Sequence, residues 1–236
     1  MANEDDAATL LGSRLDAVRE SVSDACRAAG RDPSEITTIV VTKFHPASLV
    51  RELASLGVTD VGENRHQEAS AKASACADLD LSWHFIGSIQ SNKAAAIAAY
   101  ADVVESVDRV KLVAALDRGA GERGRAVDCL IQVSLDPPEA GARGGASADD
   151  VPAIAEAVAE AGALRLRGVM AVAPLGAPPL PAFERLAAVA ARLRAAHPDA
   201  AVVSAGMSGD LEEAIRCGAT HVRVGSAVLG PRPPIK

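Results

Sequence analysis

Eight short runs of β-branched and apolar residues alternate with helix-like stretches along this chain, and this alternation constrains its fold more than any other feature. The runs lie at about 36–42, 58–61, 82–86, 102–107, 127–134, 164–171, 201–204 and 220–224. The helix-like stretches lie at about 46–56, 64–76, 91–100, 108–120, 149–162, 180–196 and 208–217, after a leading amphipathic helix at 7–29. Strands that alternate with helices favour a parallel sheet. Eight such units predict an α/β protein with a closed (β/α)8 barrel and an extra N-terminal helix.

A doubly wound open sheet is the alternative, but it usually has fewer strands, and the sequence has no G-x-G-x-x-G turn. The chain has 236 residues, of which 49% are hydrophobic, and this is enough for one sizeable core. We therefore expect a single domain over residues 1–236, with its folded core at about 7–230.

The charge and composition exclude several classes of function. The net charge is −7 and only 2% of the residues are aromatic, which argues against nucleic-acid partners and base stacking. No apolar run approaches the roughly 20 residues of a membrane span, and the acidic N-terminus resembles no secretion signal. The cysteines, at 26, 76, 129 and 217, form no C-x-x-C pair, and the histidines have no metal-ligand spacing. We expect a cytoplasmic protein with reduced cysteines and no metal or membrane partner.

The first predicted strand ends in Thr42-Lys43 and is stopped by Pro46. In a barrel the chemistry lies at the carboxyl ends of the strands. A dehydrated lysine there loses its proton more easily and attacks carbonyl groups. The alternative is a strand-end lysine whose amine simply reaches water.

The turns after the last two strands have the composition of a phosphate site. Ser204, Gly206 and Ser208 follow the seventh strand, and Gly225 and Ser226 follow the eighth. Barrels commonly bind phosphate in these two loops, where small residues let backbone amides approach the oxygens. Taken singly, Ser208 is equally well explained as a helix cap and Gly225 as a packing glycine.

Other polar residues near strand ends have two interpretations each. Arg223 either faces a ligand or forms a structural ion pair, and His84 is either a pocket residue or a satisfied core group. Asn64 either binds a ligand or caps a helix, and Glu63 either pairs with a cation or acts on a substrate. The Gly- and Pro-rich stretch 136–150 predicts a mobile loop on the active face or a tolerated insertion.

Several motifs together resemble the YggS/PROSC family of pyridoxal phosphate homeostasis proteins, over about residues 10–230. They are Thr42-Lys43, Gly62-Glu63-Asn64, Trp83-His84-Phe85-Ile86-Gly87 with Gln90-Ser91-Asn92-Lys93, Ser106-Val107-Asp108, Gly206-Met207-Ser208 with Asp210, and Val222-Arg223-Val224-Gly225. The chain departs from the family pattern at Ala205, Ser226 and Phe44-His45. The first two changes leave a phosphate site intact, and the third changes the shielding of the lysine.

The resemblance implies a fold-type III barrel of the alanine racemase N-terminal type that binds pyridoxal 5'-phosphate. Lys43 would form a covalent aldimine with the cofactor, and Arg223 would face the pyridine nitrogen. The other cofactor-binding residues implied are Asn64, His84, Met170, Ser204, Ser208, Gly225 and Ser226.

Three functions remain open at this point. The first is a monomeric protein that holds and delivers pyridoxal phosphate, with little or no turnover and with cofactor-dependent apoenzymes as the recipients. The second is a low-activity amino-acid racemase, which would need a second base, although Tyr100 is the only tyrosine. The third is a lysine-dependent aldolase for a phosphorylated sugar.

Overall fold

The computed structural model describes residues 2–137 and 144–231. Eight parallel strands close into a barrel in which each strand pairs with its neighbours in chain order and β8 pairs with β1. The strands are β1 (Thr37–Val41), β2 (Asp60–Glu63), β3 (Ser82–Phe85), β4 (Val103–Val107), β5 (Val127–Gln132), β6 (Leu164–Met170), β7 (Val202–Ser204) and β8 (His221–Val224). The predicted (β/α)8 barrel is confirmed.

The helices surround this barrel and follow the predicted order. They are α1 (Ala2–Ala29), α2 (Ala47–Ser55), α3 (His66–Ala75), α4 (Ala94–Ala98), α5 (Val113–Arg123), α6 (Val151–Ala159), α7 (Pro179–Ala196), α8 (Leu211–Arg216) and α9 (Ser226–Leu229). Short 3-10 turns occupy Pro33–Glu35, Ser91–Lys93 and Val110–Leu112. The predicted helices at 91–100 and 108–120 each begin with such a turn, so their α-helical parts are shorter than expected.

The leading helix α1 is part of the barrel's outer layer. Its apolar face buries Leu11, Leu15 and Val18 in one cluster with Val224 and Val228. One turn further on, Val22, Ala25 and Cys26 pack with Ile215 and Val222. The helix therefore covers β8 and the elements beside it.

Trp83 and His84 are adjacent in β3, and their side chains point to opposite sides of the barrel wall. Trp83 packs outside in the cluster that also holds Val61 and Leu53, while His84 bonds Glu105 of β4. Glu105 also bonds Ser204 of β7, which is across the barrel, so these polar side chains lie in the barrel interior. Successive residues of a strand face opposite sides, as the sequence predicted.

The segment predicted to be a mobile loop falls partly outside the described residues, which exclude 138–143. Its described end returns to the barrel: Ala146 N donates to Gln132 O at 2.7 Å, and Ser134 N donates to Ala146 O at 2.9 Å. Ala146 is 3% exposed, so this end is tied to β5.

Three further features of the described residues bear on function. No helix in this part of the chain has the length and apolarity that crossing a bilayer requires. Within the same residues, no group of three or more histidine, cysteine or acidic side chains is arranged to hold a metal ion. All four cysteines are free thiols, three of them buried.

Candidate functional site

A cavity of about 360 Å³ opens at the carboxyl rim of the barrel, beside the end of β1. We call it the Lys43 cavity. Its lining comprises Val41, Lys43, Phe44, His45, Asn64, Ile86, Met170, Val172, Met207, Ser208, Gly209, Arg223, Gly225, Ser226, Leu229 and Gly230. Pockets of this size accommodate small ligands and cofactors.

Most of the residues singled out in the sequence meet at this cavity. Lys43 and Asn64 follow β1 and β2, Met170 ends β6, and Arg223 lies in β8. The turns after β7 and β8 contribute Ser208, Gly225 and Ser226 to the same lining. An amine, an arginine and two small-residue turns therefore face one space.

His84 and Ser204 occupy a different place. Among the described residues they are not part of the cavity lining, and both are buried in the barrel interior, at 3% and 0% exposure. Both are bound to Glu105, a wholly buried carboxylate of β4. The interpretation of His84 as a satisfied core group agrees with this geometry.

Glu105 is the centre of a buried hydrogen-bonded chain, which we call the interior network: Asp60, His84, Glu105, Ser204 and Arg223. His84 Nδ1 lies 2.8 Å from Glu105 Oε1, and His84 Nε2 lies 3.1 Å from Asp60 Oδ1. Ser204 Oγ donates to Glu105 Oε2 at 2.6 Å and accepts from Arg223 Nη1 at 2.7 Å. The chain thus runs through the barrel and ends on the arginine that lines the cavity.

The charges of this network compensate each other. Burial by itself lowers the pKa of His84, but the hydrogen bonds and charges of Asp60 and Glu105 outweigh it and raise the pKa to about 9. Burial also opposes ionisation of Glu105, yet the bonds and charges of His84 and Arg223 keep its pKa below the usual value. At neutral pH we therefore assign an imidazolium between two carboxylates and a guanidinium beside one of them.

Arg223 is held in a fixed orientation at the cavity. Besides the bond to Ser204, its Nη2 donates to Ala171 O at 2.7 Å, and the side chain is 4% exposed. These two bonds use two of the five N–H groups of a guanidinium, so donors remain for a ligand atom. The two interpretations of Arg223 from the sequence are compatible, because it both pairs with Glu105 and lines the cavity.

The turn after β7 is shaped by Asp210. Its Oδ1 accepts a hydrogen bond from Met207 N at 2.5 Å, and Arg223 N donates to Gly206 O at 2.9 Å. The first bond closes the turn that carries Ser208, and the second joins this turn to β8. The two candidate phosphate loops are therefore fixed relative to each other.

Of the two interpretations of Glu63, the structure supports the one in which it pairs with a cation. Its Oε1 accepts from Lys72 Nζ at 2.6 Å and from Thr42 Oγ1 at 2.6 Å, and the side chain is 1% exposed. Burial raises its pKa, although Lys72 and Thr42 act in the opposite direction. Sequence reasoning did not single out Lys72, because one lysine among the polar residues of a helix gives no signal of burial.

Two observations indicate that the Lys43 cavity suits a ligand. Asn64 Oδ1 is buried and has no hydrogen-bond partner among the described residues, although buried polar atoms are normally paired. A neighbouring cavity of about 410 Å³ shares Lys43, Asn64 and Met170 with the first. A ligand in this space would meet the Lys43 amine, the Arg223 guanidinium and the unpaired acceptor oxygen of Asn64, which suits an anionic carbonyl compound that also carries a hydrogen-bond donor.

Tyr100 lies elsewhere. Its ring stacks on His66, with centroids 5.8 Å apart, and burial followed by the charge of Glu63 raises the pKa of its hydroxyl. Among the described lining residues of the Lys43 cavity the titratable ones are Lys43, His45 and Arg223.

The comparisons with known proteins agree with this fold. The domain family described as "Alanine racemase, N-terminal domain" matches residues 13–233. The chain is thus a barrel of the alanine racemase N-terminal class, and it has a lysine, Lys43, at its carboxyl rim.

Closer relatives define the protein further. A pyridoxal phosphate homeostasis protein of Mycobacterium tuberculosis is 43% identical, over 94% of this chain and 93% of its own length. That of Pseudomonas aeruginosa is 41% identical, over 94% and 96%. PipY of Synechococcus elongatus, whose structure has pyridoxal phosphate bound, matches with a TM-score of 0.80 at 35% identity, over 93% of this chain and 100% of that one. The chain belongs to the pyridoxal phosphate homeostasis protein family, the YggS/PROSC family.

Proposed function

We propose that this protein binds pyridoxal 5'-phosphate in the Lys43 cavity as a reversible imine and takes part in holding and delivering the cofactor within the cytoplasm. The observation that carries the proposal is that Lys43, Arg223 and both small-residue turns line one cavity. The PipY structure with bound pyridoxal phosphate, at 35% identity, supports the same ligand.

Each residue has a role in the proposal. Ser208, Gly225 and Ser226 hold the phosphate, Met170 packs against the ring, and Asn64 Oδ1 gains a partner that it lacks among the described residues. Arg223 faces the ring nitrogen. His84 and Ser204, which the family resemblance also assigns to the cofactor site, belong to the interior network that ends on Arg223, and through it they orient that side chain.

The covalent step would be reversible. With the cofactor bound, the amine of Lys43 in its neutral form would attack the aldehyde carbon, and a C=N bond would form as the carbonyl oxygen leaves as water. Hydrolysis returns both partners unchanged, which suits a protein that stores and releases an aldehyde. Because an arginine keeps its proton, Arg223 leaves the ring nitrogen unprotonated, and the cofactor is then a poor electron sink.

This last argument disfavours the racemase, which would draw carbanion charge into the ring. A racemase of this fold also uses a tyrosine as second base, and Tyr100 is stacked on His66 outside the described lining of the Lys43 cavity. The aldolase would use Lys43 without a pyridoxal cofactor.

Absorbance spectroscopy tests the proposal and separates these functions. We expect the protein to acquire an imine absorption band with pyridoxal phosphate, and we expect Lys43→Ala to lose it while Lys93→Ala keeps it. A wild-type protein that forms no imine band would contradict the proposal and favour the aldolase. Exchange of an amino acid's α-hydrogen with deuterated buffer would instead favour the racemase.

A further inference from the structure

The backbone on both sides of Lys43 is held by one cluster of charged side chains. On one side, Lys72 Nζ donates to Thr42 O at 2.7 Å. On the other side, Phe44 N donates to Glu68 Oε1 at 2.5 Å. Lys72 and Glu68 lie one turn apart on α3, so a single helix contacts the residues immediately before and after the rim lysine.

The cluster is closed by further ion pairs. Lys72 Nζ also lies 2.6 Å from Glu68 Oε1 and 2.6 Å from Glu63 Oε1, and its side chain is 6% exposed. Its ammonium thus donates to two carboxylates and one carbonyl, which uses all three of its donors. We call Glu63, Glu68 and Lys72, with the Thr42 and Phe44 backbone groups they bind, the rim clamp.

The clamp coincides with backbone strain. Phe44 has a φ of 70°, and it is the only non-glycine residue with positive φ in the described part of the chain. A bulky residue in this region is strained and persists only where its surroundings fix it. The hydrogen bond from Phe44 N to Glu68 helps to fix the backbone here. The Arg65 guanidinium, 4.7 Å from the centre of the Phe44 ring, contacts the side chain.

From this geometry we infer that Glu68 and Lys72 are positioning residues for Lys43: they fix the strained turn from which its amine enters the cavity. The inference rests on the proposed imine function. Lys72 takes no part in the covalent step, because it is bound to Glu63, Glu68 and Thr42 and is not among the described lining residues of the Lys43 cavity.

Glu68 is the member to change, because its side chain is 24% exposed and its loss leaves Lys72 paired with Glu63. Glu68→Ala removes the acceptor of Phe44 N–H, whereas Glu68→Gln keeps an acceptor oxygen in place. Glu52→Ala, an exposed glutamate of α2, is the matched control.

Two ligands separate positioning from general damage. Pyridoxal phosphate reports imine formation by its absorption band, and pyridoxine phosphate, an alcohol that cannot form an imine, reports cavity binding alone. We expect Glu68→Ala to weaken imine formation about 10-fold, as for one lost hydrogen bond to a charged group, and to leave pyridoxine phosphate affinity within about 2-fold. Glu68→Gln and Glu52→Ala should behave as the wild type.

The outcomes are decisive. Unchanged imine formation in Glu68→Ala would overturn the clamp, and so would an equal loss for both ligands or a failure of Glu68→Gln to restore the band. If the wild-type protein itself forms no imine, the proposed function fails instead, and the two failures are therefore distinguishable.

Discussion

Arg223 Nη1 donates a hydrogen bond of 2.7 Å to Ser204 Oγ, deep at the carboxyl rim of the barrel. The serine hydroxyl in turn donates a hydrogen bond of 2.6 Å to Glu105 Oε2, so the arginine that lines the cavity is tied to the interior network. A cation that must face one ligand atom needs such fixed support.

Glu105→Gln should destabilise the protein strongly. The carboxylate accepts from Ser204 and pairs with His84, and the amide would leave two buried cations with one anion fewer. Breaking a buried ion pair costs about 3–5 kcal/mol. Urea denaturation measures this loss, with Glu122→Gln, whose side chain is 72% exposed, as the control. A loss below about 1 kcal/mol would show that the network contributes little.

Stability should fall on the alkaline side because of His84. Its pKa is about 9 in the folded protein and 6.5 in the reference state, so the stabilisation is complete below pH 6.5 and disappears as pH rises through 9. The difference corresponds to roughly 3 kcal/mol. The ring centroid of the neighbouring His221 lies 6.3 Å from that of His84, and burial is the main cause of a pKa of His221 below the usual value.

Urea denaturation at a series of pH values checks this slope. His84→Gln should flatten the decline between pH 6.5 and 9, whereas His197→Gln, at the end of α7, should retain it. An unchanged slope in His84→Gln would mean that other groups cause it.

Substitution of three serines at this rim can locate the phosphate site. The double variant Ser208→Ala/Ser226→Ala should weaken binding of inorganic phosphate by about 1–3 kcal/mol, since hydrogen bonds to a charged group are lost. Ser204→Ala should leave phosphate affinity unchanged, because its hydroxyl is bound to Glu105 and Arg223. Isothermal titration measures both, and the reverse pattern would move the phosphate to Ser204.

Gly87 has no room for a side chain. A Cβ there would lie 2.1 Å from Asn64 O, so Gly87→Ala must displace a cavity residue. We expect a cost of at least about 2 kcal/mol by chemical denaturation. Gly121→Ala is the control, because a Cβ at this exposed position of α5 meets nothing within 4 Å and should stabilise the helix by up to about 1 kcal/mol. Equal effects of the two substitutions would contradict the steric argument.

The barrel was predictable because its signal is local and repeated. Each β-branched run is bounded by turn residues, and parallel strands bring their carboxyl ends to one rim, so Lys43, Asn64, Arg223 and Gly225 converge without any long-range information. The strand bounds agree with the structure to within a few residues.

The supporting contacts were less predictable, because they depend on pairing between distant elements. Glu105 interrupts the apolar run Val103–Val107, and this was a usable sign of a buried carboxylate, but its partners come from β3 and β7. Lys72 gave no sign at all, and the positive φ of Phe44 was hidden, since no glycine marks the turn.

Peptide mapping after hydride trapping shows directly whether Lys43 binds the cofactor. The protein is mixed with pyridoxal phosphate, reduced with borohydride and digested, and mass spectrometry then locates the adduct among its five lysines. We expect modification of Lys43 alone. An adduct on Lys72, Lys93 or Lys111 in place of Lys43, or no adduct on any lysine, would contradict it.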